Sequence, residues 1–183
     1  DLPALVVEKL GGLRPAACAN LPYYITSPVL TKLLESRCFS SVTVMIQKEV
    51  AQRICAPAGS ADYSAFTVFC GYYAVPIRLF DVPPSCFIPQ PKVMSTVLRL
   101  DTRTEPPAQI DSERVFFRTV RAAFAMRRKT LLNALSAGFG ELSKAELAEL
   151  LTACAIAPTV RGETLNIEAF ARLSNALNQA LAK

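Results

Sequence analysis

The sequence predicts an α/β fold with an antiparallel edge, joined to an all-helical C-terminal region. Three observations support this prediction: strand-like and helix-like runs alternate over residues 1–103, residues 111–183 repeat the helical period, and a polar segment with two prolines lies between them. We therefore expect a first domain at 1–103, a linker at 104–110 and a helical domain at 111–183.

Apolar runs define the elements of the first region. Strands are predicted at 14–19, 42–46, 64–73, 77–82 and 93–100, and helices at 28–36 and 48–55. Ser27 and Pro28 suit a helix start, and the aromatic residues of 64–73 favour a strand. Alternating strands and helices, followed by strands without long helices, indicate an α/β fold with an antiparallel edge.

Capping residues mark the helices of the second region. Asp111 is a plausible cap for a helix that runs to about Leu135, and the glycines at 138 and 140 are expected to end it. Ser143 and Glu146 form a capping-box pattern, and Asn166 is placed to cap the last helix.

Composition excludes several kinds of chemistry. The 183 residues include no histidine, so a Ser-His-Asp triad, a Cys-His pair and an imidazole metal ligand are ruled out. The six cysteines form no CxxC pair, so we expect reduced thiols and no metal site. The longest uncharged stretch, residues 15–31, holds three prolines and is not a membrane span. A net charge of +5 permits a nucleic-acid partner without requiring one.

The sharpest local signal is Asn20-Leu21-Pro22-Tyr23-Tyr24, directly after a predicted strand. Loops at the carboxyl ends of strands are where open α/β sheets bind ligands. The Asn20 carboxamide and a neighbouring backbone carbonyl are acceptors that suit the exocyclic amine of a base, Pro22 stiffens the loop, and Tyr23 offers a ring for stacking. The alternative is an ordinary strand-ending turn.

A second signal is Phe87, on the proline-rich loop 87–93 just before a predicted strand. An aromatic ring there is suited to the other face of an extruded base. The alternative is a phenylalanine buried under its own loop.

With these motifs the chain resembles the small-subunit ribosomal RNA adenine dimethyltransferases, which use S-adenosylmethionine. The resemblance covers nearly the whole chain and is carried by residues 19–28, 44–50, 83–93, 120–124, 127–131 and 161–165. It implies the latter half of a Rossmann-like S-adenosylmethionine-dependent methyltransferase sheet plus a small all-α C-terminal domain.

The resemblance also implies roles for five catalytic residues. Asn20 is expected to hold the target amine and adjoin the cofactor methyl group, with the Leu21 carbonyl as second acceptor. Tyr23 and Phe87 are expected to sandwich the adenine, and Pro22 to shape the loop.

Two departures from the family pattern matter. Family members have an N-terminal part with a glycine-rich cofactor loop, which we expect this chain to lack, since its only Gly-x-Gly, at 138–140, follows a predicted helix rather than a strand. We therefore expect most of the S-adenosylmethionine site to be absent, cofactor binding to be weak or absent, and this chain alone to be inactive. Met94 stands where the family usually has a polar residue, often aspartate.

Five cations crowd the helix of the second region and are expected to contact RNA: Arg118, Arg121, Arg127, Arg128 and Lys129. Three interpretations remain open. They are an ion-paired seam between the two domains, contact with RNA phosphates, and a solvated face with the helix breaking near Met126.

The resemblance predicts dimethylation of adenine amines in small-subunit (16S) rRNA. The partner would be the pre-ribosomal 30S particle and the protein a cytoplasmic monomer with no membrane contact. Two alternatives stay open: a non-catalytic rRNA-binding assembly factor, and a large-subunit rRNA adenine methyltransferase of the antibiotic-resistance type.

Overall fold

The computed structural model describes residues 2–182 and divides the chain into two compact units. The first comprises the residues up to Cys55 together with Cys70–Glu105, and the second comprises Ala56–Phe69 and the residues from Pro106 onward. Residues 56–69 thus group with the C-terminal helices, whereas the sequence placed them in the first region. The limits 1–103, 104–110 and 111–183 stay a prediction about where independently folding domains begin and end.

A four-stranded mixed sheet forms the centre of the first unit. In chain order the elements from residue 2 to residue 102 are α1 (Leu2–Leu10), β1 (Ala16–Asn20), α2 (Thr26–Glu35), β2 (Ser41–Gln47), α3 (Lys48–Ile54), α4 (Ala65–Tyr73), β3 (Ala74–Val82) and β4 (Ser95–Thr102). The sheet order is β1-β2-β4-β3, with β1 parallel to β2 and the other two pairs antiparallel. The predicted α/β fold with an antiparallel edge is confirmed.

Alternate residues of the central strands build the core of this unit. On β2, Val42, Val44 and Ile46 are at most 1% exposed, and Leu98 and Leu100 of β4 lie beside them at 0%. Helices α2 and α3 pack against these strands. The carboxyl ends of β1 and β2 therefore lie at one edge of a well-anchored sheet, where the loop after β1 begins.

Two expectations for this part of the chain are wrong, and one helix was not expected. Residues 64–73 form helix α4 rather than a strand, because the Ser64 and Thr67 side chains each accept a hydrogen bond from the other residue's backbone N–H and so start a helical turn. Ser27 does not cap α2, which begins at Thr26 directly after a 3-10 turn at Tyr23–Ile25. Helix α1 was not predicted, and none of its described residues is buried.

Helices make up the second unit beyond residue 106. They are α5 (Glu113–Ala125), α6 (Leu131–Gly138), α7 (Lys144–Ala153) and α8 (Ile167–Leu181). The capping box at Ser143 and the Asn166 cap are confirmed, since each side chain accepts a backbone N–H of its helix. The helix expected from Asp111 to Leu135 is wrong at both ends: Ser112 is the cap, and α5 ends at Ala125.

Large apolar side chains at 0% exposure fill the core of the second unit, among them Phe116, Phe139 and Phe170. Residues 56–69 contribute Tyr63, whose hydroxyl donates to the Leu165 carbonyl at 2.9 Å. Burial raises the pKa of Tyr63 to about 12. This contact ties the 56–69 segment to the turn before α8.

Two glycines of this unit allow backbone to approach closely. A Cβ added at Gly138 would lie 2.4 Å from the Ala122 Cβ, and one at Gly162 would lie 2.6 Å from the Ala123 carbonyl oxygen. The expectation that the glycines at 138 and 140 end a helix holds for α6, whose last residue is Gly138. Gly138 and Gly140 both lack a positive φ. Gly138 is therefore required by the closeness of Ala122 on α5 and not by a left-handed turn.

Among residues 2–182, no helix combines the length and the apolar character that crossing a membrane demands.

Candidate functional site

A pocket of about 270 Å³ opens at the loop after β1. Seven residues line it: Asn20, Leu21, Pro22, Tyr23, Phe87, Pro89 and Pro91. The structure therefore brings all five predicted catalytic residues together, although 63 positions separate Asn20-Leu21-Pro22-Tyr23-Tyr24 from Phe87 along the chain.

The end of β1 sets the geometry of the first loop. Asn20 is the last strand residue, and the Leu21 N–H donates to the Met45 carbonyl of β2 at 3.3 Å. Pro22 then caps the 3-10 turn Tyr23–Ile25, and its carbonyl accepts from the Ile25 N–H at 3.1 Å. Because this turn closes on itself, the Asn20 side chain and the Leu21 carbonyl are left at the strand end rather than used within the turn.

Two acceptors in this loop have no protein partner. Within residues 2–182, the Asn20 carboxamide and the Leu21 carbonyl take part in no hydrogen bond, and Asn20 is exposed. Adjacent unsatisfied acceptors in a pocket lined with rings and prolines suit a ligand that carries two N–H hydrogens on one nitrogen.

The second wall of the pocket comes from the loop between β3 and β4. A 3-10 turn at Pro84–Cys86 precedes Phe87, whose N–H donates to the Pro84 carbonyl at 3.1 Å. Pro89 and Pro91 line the pocket beside Phe87, and the Ile88–Pro89 bond is cis. Two aromatic rings on separate loops thus line one small pocket.

An ion-pair network lies at the start of β4, next to these loops. The Asp81 carboxylate accepts from Lys48 Nζ at 2.7 Å and from Thr96 Oγ1 at 2.7 Å. These two hydrogen bonds lower the pKa of Asp81 to about 2, and the bond from Lys48 has the larger effect. Lys48 Nζ also lies 3.6 Å from the Met94 sulfur, so the lysine contacts the thioether of Met94. Sequence reasoning missed this network because its members are far apart in the chain.

Arg118 is fully engaged within the second unit. Its guanidinium donates to the Gly138 carbonyl at 2.8 Å and makes two bonds to the Glu141 carboxylate, at 2.7 and 2.8 Å. It also lies 4.3 Å from the centroid of the Phe139 ring. These contacts join α5 to the end of α6.

The other four cations fall into two groups. The Arg127 guanidinium donates to the Ala61 carbonyl and lies 3.6 Å from the Glu163 carboxylate. Arg127 therefore forms an ion pair, and both of its partners belong to the second unit. Arg121, Arg128 and Lys129 are exposed, and in the part of the chain that the structure describes their side chains form no hydrogen bond or ion pair. The helix does break near Met126, as the third of the three interpretations assumed, because Met126 is the C-cap of α5.

Two solved structures share this fold. A dimethyladenosine transferase from Plasmodium falciparum has a TM-score of 0.75 and 24% identity, over 90% of this chain and 67% of its own. The 23S rRNA methyltransferase ErmE has a TM-score of 0.66 and 22% identity, over 97% of this chain and 78% of its own. The expected Rossmann-like methyltransferase fold class is confirmed by these likenesses.

The chain belongs to the ribosomal RNA adenine dimethylase family, whose model matches residues 13–179. Ribosomal RNA small subunit methyltransferase A of Alkaliphilus oremlandii is 49% identical over 99% of this chain and 63% of its own length. The protein of the same name from Caldanaerobacter subterraneus is 46% identical over 97% of this chain and 65% of its own. The chain thus spans slightly less than two thirds of the length of these relatives.

Proposed function

We propose that this chain carries the adenine-binding and catalytic loops of an enzyme that dimethylates adenine amines in small-subunit ribosomal RNA. The observation that carries the proposal is the pocket in which Asn20, Leu21, Tyr23 and Phe87 meet. Family membership and the names of the relatives support the substrate and the reaction.

The free acceptors of the loop explain how this pocket activates an amine. The lone pair of an adenine amine is conjugated with the ring, so the nitrogen is a poor nucleophile. Hydrogen bonds from its two N–H groups to the Asn20 oxygen and the Leu21 carbonyl favour the tetrahedral form, whose lone pair is free to attack. Preorganised contacts of this kind act mainly on the transition state.

The two rings explain how the base is held outside its helix. Tyr23 and Phe87 sandwich the adenine, and this stacking replaces the contacts that the base loses on leaving its neighbours. Pro22, Pro89 and Pro91 keep both loops in place between binding events.

S-adenosylmethionine is the proposed methyl donor, and a sulfonium methyl group needs alignment more than acid-base help. Asn20 is exposed at the carboxyl end of β1, a position that fits contact with the methyl end of such a cofactor. It is the one residue that we assign to the cofactor in this chain.

The exposed cations of the second unit are proposed to bind RNA phosphates. Arg121, Arg128 and Lys129 have their donors free, whereas the donors of Arg118 and Arg127 are used within the unit. The proposed partner is the pre-ribosomal small-subunit particle, bound by a cytoplasmic monomer.

Amine-dependent binding tests the base pocket on this chain itself. The probes are short oligouridine strands with one central adenosine, purine riboside (which lacks the amine) or abasic site, and affinity is read by fluorescence anisotropy. We expect adenosine to bind about tenfold more tightly than purine riboside, because two acceptors lose their partners, and the abasic strand to bind most weakly. Equal affinity for all three strands would contradict the base pocket.

Methyl transfer is tested in a chimera of the relatives' length, in which this chain replaces the segment it matches in the A. oremlandii protein. The readout is labelled methyl incorporation into unmodified small-subunit particles, followed by nucleoside analysis. Dimethyladenosine as product supports the proposal. Methyl groups at another base or another position would refute it.

The salt dependence of RNA binding tests the phosphate contacts. Replacing Arg121, Arg128 and Lys129 together with glutamine is expected to reduce the slope of log affinity against log salt by about 2, because each contact with a single strand contributes roughly 0.7. Lys144→Gln, an exposed cation on α7, serves as the control and should leave the slope unchanged. An unchanged slope in the triple variant would assign RNA binding to other cations.

A further inference from the structure

The hydroxyl of Tyr23 is bonded to the start of β4. The Tyr23 and Ser95 hydroxyl oxygens are 2.8 Å apart, and the two residues are separated by 72 positions in the chain. Ser95 is 0% exposed, whereas the ring of Tyr23 lines the pocket. The Tyr23 ring therefore lines the pocket, while its hydroxyl is held by a buried serine of the sheet.

Ser95 is itself firmly fixed. Its backbone pairs with Gln47 of β2 on one side and with Val82 of β3 on the other. Just before it, the Met94 carbonyl accepts the Lys48 N–H at 2.9 Å. Ser95 is thus paired with two strands, and the residue before it is tied to the first residue of α3.

The following residue strengthens the same point from the opposite face of the sheet. Thr96, also 0% exposed, donates to the Asp81 carboxylate at 2.7 Å, and Lys48 holds that carboxylate at 2.7 Å. Because neighbouring residues of a strand point to opposite faces, Ser95 and Thr96 hold the strand start from both sides.

The short turn that carries Tyr23 does not orient its ring. The turn spans only Tyr23–Ile25 and has no side-chain cap. A half-buried tyrosine on a single turn keeps several rotamers, and holding one of them costs side-chain entropy. The bond to Ser95 selects one rotamer before any base arrives.

We propose that Ser95 is a positioning residue, which acts by holding the Tyr23 ring in the orientation that stacks on the target base. The inference rests on the proposed function, since it assumes that a base enters the pocket. It also assigns the Tyr23 hydroxyl to orientation and leaves proton transfer to other groups.

The test compares Ser95→Ala, Tyr23→Phe and the double variant. The measurement is the ratio of affinities for the adenosine strand and the abasic strand described above. Each single variant is expected to lower this ratio by about two- to tenfold, the effect of one hydrogen bond. The double variant should match the singles, because all three lack the same bond. Ser41→Ala, a buried serine at the opposite end of the sheet, is the matched control and should leave the ratio unchanged.

The outcomes separate the two proposals. A wild-type ratio of one would refute the base pocket itself. A wild-type preference for adenosine that Ser95→Ala leaves intact would refute the positioning role alone. So would a loss in Ser95→Ala that Tyr23→Phe does not reproduce, because that pattern indicates a general effect on the sheet, which thermal melting would also report.

Discussion

Asn20→Ala is expected to lower methyl transfer by the chimera about 100- to 1000-fold, the usual effect of deleting one preorganised transition-state contact. The side chain is exposed at the end of β1 and has no partner in residues 2–182, so its removal should leave the fold intact. The loss is therefore expected in the rate at saturating RNA. Labelled methyl incorporation measures it, and melting curves check that both proteins are folded.

Asn20→Asp is the control for this prediction. The carboxylate keeps an acceptor oxygen where the carboxamide has one, so we expect it to retain considerably more activity than the alanine variant. If aspartate and alanine reduce the rate equally, the oxygen of Asn20 is not the acceptor of the target amine.

Gly162→Ala is expected to destabilise the second unit by about 3 kcal/mol, the upper range for overpacking a tight contact. The new Cβ would lie 2.6 Å from the Ala123 carbonyl oxygen and 2.8 Å from the Ala123 Cβ, so helix α5 or the 3-10 turn at Gly162–Thr164 has to move. Urea unfolding of the chain measures the loss.

Gly140→Ala provides the matched comparison. A Cβ at Gly140 meets nothing within 4 Å, and its φ is not positive. We expect a change of less than about 0.5 kcal/mol, typical of an exposed site. Similar losses at both glycines would mean that the contact with Ala123 is not what requires Gly162.

The resemblance to the family grouped the pocket residues, because its motifs at 19–28 and 83–93 contain both loops. Proline and aromatic residues in such loops are visible without a structure. Ser95 was not predictable in the same way. A serine at a strand start is common, and its bond to Tyr23 depends on the register of β4 against β2 and β3.

The error at residues 64–73 has a physical cause in the chain. The aromatic residues of 64–73 favoured a strand, but the hydrogen bonds between Ser64 and Thr67 start a helix, a signal that the spacing of the two residues already contained. The RNA-binding role of Arg118 and Arg127 stays a prediction. The sequence did not indicate that both also bind backbone carbonyls, of Gly138 and Ala61, because such partners leave no mark in a side-chain pattern.

The polypeptide passes between the two compact units three times, after Cys55, after Phe69 and after Glu105. Neither unit is therefore a single uninterrupted stretch of chain. A protease that cuts once near residues 104–110 would leave 56–69 joined to the sheet-bearing fragment. The helical fragment would then lose the hydrogen bond from the Tyr63 hydroxyl to the Leu165 carbonyl. Dissection of this protein into separately produced halves calls for a graft of 56–69 onto the C-terminal helices rather than a simple truncation.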